Sequence, residues 1–93
     1  MTPKPSSFQT LQEMAHRAVK KDPQSEEAWQ MHAYAHENQG DLVTATDSWI
    51  KCTQLCPPEK RERYAVRVRR CIAEMDTARN AASEALAALD GGR

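Results

Sequence analysis

Two pairs of side chains are the best equipped for chemistry in this 93-residue chain: His32 with His36, and Cys52 with Cys56. A spacing of four puts both members of a pair on one face of a helix. Two imidazoles and two thiolates form a ligand set of the kind that holds zinc tetrahedrally. Cys71 leaves an odd cysteine count without a framework-like spacing, which reads as reduced thiols acting as small apolar side chains in a cytoplasmic protein. Other chemistry has less to work with. The chain has no glycine-rich phosphate loop, no nucleophile beside a base and no isolated carboxylate pair, so neither enzyme activity nor a cofactor is expected.

Whether four ligands could meet depends on the elements that carry them. Residues 1–5 read as a tail, and Ser6 or Ser7, with Gln9 following, can cap a helix running to about Lys21. Its apolar face is Phe8, Leu11, Met14 or Ala15, Ala18 and Val19; Lys20 and Lys21 complement the dipole at its end, and Asp22-Pro23 stops it. Ser25 caps a second helix, with Glu26 and Glu27 in its first turn, that reaches Asn38-Gln39-Gly40. Asp41 caps a third, which Cys56-Pro57-Pro58 ends. The turn between the second and third helices is too short for anything but an antiparallel hairpin. Facing residues then have numbers summing to about 80, so His36 lies by the turn while Cys52 and Cys56 lie at the open end. His36 and Cys56 would be roughly 18 Å apart along the hairpin. Four ligands cannot converge across that span, so no metal is assigned and the histidines are expected to be packed or hydrogen-bonded.

After Pro58 no glycine or proline occurs until Gly91. Tyr64, Val68, Cys71, Ile72, Met75, Ala78, Ala82, Leu86 and Leu89 recur at helical steps, and Val68, Met75, Ala82 and Leu89 are spaced by sevens. The pattern fits one long helix or two broken near Asp76-Thr77, and leans to one. Only 12 residues are Leu, Ile, Val or Phe, but 14 alanines supply helix propensity and the net charge is zero, so a single all-α domain is expected. No apolar run has membrane-spanning length, and the N-terminus lacks a signal-peptide core.

Charge is segregated. From Asp22 to Asp47 there are six acids and no Lys or Arg, whereas Glu59 to Arg70 holds six bases. Lys60, Arg63, Arg67 and Arg70 form one helical stripe. A solvated helix face is the plain reading of such a stripe; a docking surface for an acidic partner is the functional one. Nucleic acid is the weaker partner, because no aromatic platform interleaves the arginines and the net charge is zero.

The stretch Ala28-Trp29, Ala33, His36, Gly40-Asp41, Ala45, Trp49, Cys52 and Pro57 resembles a tetratricopeptide repeat. Small residues at Ala33 and Ala45 would let two helices approach while Trp29 and Trp49 fill the space on either side. His32 and His36 depart from the family pattern, standing where Leu and Tyr are usual. Residues 24–57 match one full repeat, 6–23 the second half of an earlier one, and 58–90 a long C-terminal capping helix or helices. The resemblance implies tetratricopeptide-type antiparallel hairpins, a fragment of an α–α superhelix. It also implies a non-catalytic adaptor or assembly module, with a partner peptide or helix in a groove at Glu27, Gln30, Tyr34 and Glu37. Gln30 and Tyr34 do not supply the Lys and Asn of the subgroup that clamps a terminal carboxylate. Repeats need about three units to bury a continuous core. A homodimer, or a self-assembling unit paired through the heptad-spaced helix, is therefore the alternative, with the acidic and basic segments orienting the copies.

Overall fold

The computed structural model describes the backbone of residues 7–91 and the side chains of residues 10–90; the expected tail, the Ser6/Ser7–Gln9 cap and the Phe8 side chain lie outside them. Four α-helices follow one another: α1 (Ser7–Lys21), α2 (Glu26–Asn38), α3 (Leu42–Leu55) and α4 (Arg61–Gly91), with a 3-10 turn at Pro58–Lys60 before α4. No strand occurs among the described residues. The fold is all-α.

Local chemistry sets the boundaries. Ser25 caps α2 by accepting from the Ala28 N–H at 3.2 Å. Asp41 caps α3 by accepting from the Thr44 N–H at 3.2 Å. Between them Gly40 takes φ 82°, and the N–H groups of Gln39, Gly40 and Asp41 close on the His36 and Glu37 carbonyls. A β-carbon is strained in that conformation, so glycine suits the position. Cys56 ends α3 in extended backbone, as the following Pro57-Pro58 requires.

α4 is one continuous helix of 31 residues. Asp76 and Thr77 do not break it: Thr77 bonds within the helix and Asp76 is exposed to solvent. The Thr77 hydroxyl donates to the Ala73 carbonyl at 3.0 Å, and Asp76 lies 4.0 Å from Arg79.

The helices pack in chain order, α1 on α2, α2 on α3 and α3 on α4. The result is a slab of 55 × 48 × 16 Å, with a radius of gyration of 16.9 Å. A compact domain of this length would have about 12 Å. The core gathers Ala33, Ala45, Trp49, Cys52, Cys56, Tyr64 and Cys71, with Trp29, Tyr34, Leu42 and Val68 packed against it. Ala33 and Ala45 are fully buried, so the α2 and α3 backbones approach closely there and Trp49 fills the adjoining space. Every residue from Asp76 to Asp90 is exposed, so the second half of α4 projects from the slab.

Candidate functional site: a groove between α2 and α4 and a histidine cluster behind it

One face of the slab carries a groove of about 350 Å³ between α2 and the first half of α4. Its walls hold Glu27, Gln30 and Tyr34 from α2, and Lys60, Arg63 and Arg67 from the other side, over a floor of Trp49 and Tyr64. Three of the four expected groove positions and three of the four stripe positions therefore meet in one place. Glu37 adjoins it through Arg67, and Arg70 is exposed outside its lining.

Part of the charge on the acidic and basic segments pairs within the chain. Lys60 Nζ lies 3.6 Å from Glu26, which also accepts from the Tyr64 hydroxyl. Arg67 reaches Glu37 at 3.5 Å and donates to the Tyr34 hydroxyl at 3.2 Å, while its guanidinium lies over the Tyr34 and Trp49 rings. Burial, and then the bond to Glu26, push the Tyr64 phenol well above its ordinary range. Arg63 is left exposed and forms no ion pair among the described residues.

The cysteines do not join the histidines. Cys52 Sγ approaches the Glu26 carbonyl at the open end of the hairpin, at 3.8 Å, and Cys56 turns to the Thr53 carbonyl of its own helix. All three thiols are buried. Burial first, with Glu26 and Cys56 adding to it, pushes Cys52 up to about 12. Burial and the bond to Glu37 push Cys71 up to about 11.

His32 and His36 meet a third imidazole instead, His16 of α1, and the ligating atoms of the three lie within 4.8 Å of one another. Sequence reading missed His16 because it belongs to a different helix, and no spacing along the chain links it to the other two. His32 is buried, with Nδ1 2.7 Å from Ser48 Oγ and Nε2 3.3 Å from His16 Nδ1. His36 is buried, with Nδ1 3.2 Å from Asp41 Oδ2, and its Nε2 has no hydrogen-bond partner among the described residues. Burial, followed by the charges of His36 and His16, lowers His32 to about 4. Hydrogen bonds from Thr44, and secondarily the adjacent His36, hold the Asp41 carboxyl below its ordinary value.

No helix among the described residues is long and apolar enough to cross a membrane. No family model, curated protein or solved structure matches this chain, so its site is read from its own geometry.

Proposed function

We propose that the chain is a non-catalytic protein-interaction module of tetratricopeptide type that holds a peptide or helix of a partner protein in the α2–α4 groove. The observation that carries this reading is the composition of the groove: the Tyr34 ring stands in one wall over a floor of Trp49 and Tyr64, and Arg63 is a cation with no ion pair among the described residues. A partner segment with an apolar side chain and a nearby carboxylate fits both features, because the ring floor favours the first and Arg63 can take the second as a paired charge. Lys60 and Arg67, already engaged with Glu26 and Glu37, hold the walls in place.

Selection of random peptides on the immobilised protein tests this reading. Acidic sequences with an apolar anchor should be enriched, and calorimetry should show that Arg63→Glu and Tyr34→Ala each weaken them about tenfold or more. Absence of an enriched sequence, or equal binding by both variants, would count against the groove.

A second reading, self-association, is favoured by the projecting half of α4. Leu86 and Leu89 are 63% and 74% exposed on it, where a second copy could cover them.

A further inference from the structure

We propose that His16, His32 and His36 form a binding site for one divalent transition-metal ion of the zinc type, with a fourth position open to solvent beside the exposed His16. This proposal rests on the histidine cluster and is independent of the groove.

The hydrogen bonds made by the Nδ1 atoms of His32 and His36 leave their Nε2 atoms without a proton. With the Ser48 hydroxyl proton on the Thr44 carbonyl, 3.0 Å away, Ser48 Oγ accepts from His32 Nδ1–H at 2.7 Å. His32 Nε2 is then a bare acceptor. Asp41 Oδ2, a carboxylate oxygen, likewise accepts from His36 Nδ1–H and leaves His36 Nε2 bare. That second nitrogen is buried without a partner. Packing alone gives no account of a buried lone pair left unsatisfied; a cation bound there would satisfy it. The exposed His16 contributes Nδ1, which donates to His32 Nε2 without metal and becomes a ligand when its proton moves to Nε2.

The spacing suits such an ion. A tetrahedral metal with bonds of about 2.0–2.1 Å separates its nitrogen ligands by about 3.3 Å. His16 Nδ1 and His32 Nε2 already stand 3.3 Å apart. The three ring centres are separated by 4.7, 5.3 and 4.5 Å. Three imidazoles on one tetrahedral ion would stand about 5 Å apart, so the rings are spaced for coordination, and side-chain rotation would bring ligating atoms now up to 4.8 Å apart to the ion. Asp41 and Ser48 hold the outer nitrogens of two ligands, the arrangement that fixes ring orientation and raises ligand basicity in metal sites. All-imidazole coordination selects zinc, copper, nickel or cobalt over calcium or magnesium. Because α1 packs only on α2 among the larger helix contacts, an ion here would clasp α1 to the hairpin.

The test uses the full chain, loaded with zinc chloride and dialysed, with elemental analysis and thermal melting as readouts. One zinc per chain and a raised melting temperature are expected. Cobalt(II) should give the visible bands of a low-coordinate nitrogen site without a thiolate charge-transfer band. His16→Ala changes an exposed residue and should keep the helical circular dichroism, yet lower zinc affinity at least about tenfold and abolish the melting shift. Asp41→Asn keeps a helix cap and should weaken binding about 10–100-fold. Absence of stoichiometric metal, equal affinity in His16→Ala, or a thiolate band would each overturn the proposal.

Discussion

His32 Nδ1 lies 2.7 Å from Ser48 Oγ across the α2–α3 hairpin, and both side chains are buried. Ser48 in turn donates back to Thr44, so the pair links the two helices at mid-length and fixes their register. Ser48→Ala should leave the His32 N–H buried without an acceptor. The expected cost is about 1–3 kcal/mol, read as a lower urea midpoint at unchanged slope. An unchanged midpoint would show that the hydrogen bond contributes nothing net.

Close approach of the same two helices depends on small residues. Ala45 is fully buried beside Ala33 and Trp49, so Ala45→Leu forces extra volume into a filled core. Thermal and chemical denaturation should show about 1–3 kcal/mol of destabilisation. A variant that melts like the parent would mean that the hairpin interior has room to spare.

The projecting half of α4 separates stability from association. All of residues 76–90 are exposed, so a chain ending at Met75 should keep its melting temperature within a few degrees. If copies pair through Leu86 and Leu89, the truncation, or Leu86→Lys with Leu89→Lys, should convert an oligomer to a monomer by sedimentation. A large loss of stability on truncation would instead show that this segment belongs to the folded unit.

Thiol ionisation gives a pH dependence of defined sign. The folded chain raises Cys52 to about 12 and Cys71 to about 11, against an ordinary value of 9.0. Between those values the unfolded chain gives up protons that the folded chain keeps. The stabilising contribution is therefore complete below pH 9 and declines as pH rises through about 11 for Cys71 and about 12 for Cys52. The urea midpoint should fall over that interval. At pH 8, iodoacetamide should label Cys52 and Cys71 slowly in the native protein and readily in urea. Rapid native labelling would contradict their burial.

Most helix boundaries were legible in the residue types alone. Ser25, Gly40, Asp41 and Pro57-Pro58 act through bonds to residues a few positions away, so their effect is legible without the fold. Hairpin register followed too, because a short turn between two helices permits few alignments, and Ser48 lies opposite His32 as that alignment requires. Continuity of α4 was half legible. The absence of glycine and proline permitted it, but only the structure shows that the helix runs through Asp76 and Thr77 unbroken.

Tertiary structure alone decided which groups share a site. The hairpin register already kept Cys52 and Cys56 away from His36, but only the packing of α1 shows that His16 joins His32 and His36. In the same way, the segregated charge of α2 and α4 did not reveal that packing sets Glu26 beside Lys60 and Glu37 beside Arg67. The physical reason is common to both. Spacing along a helix fixes which side chains share a face, whereas meetings between faces of different helices depend on how those helices pack.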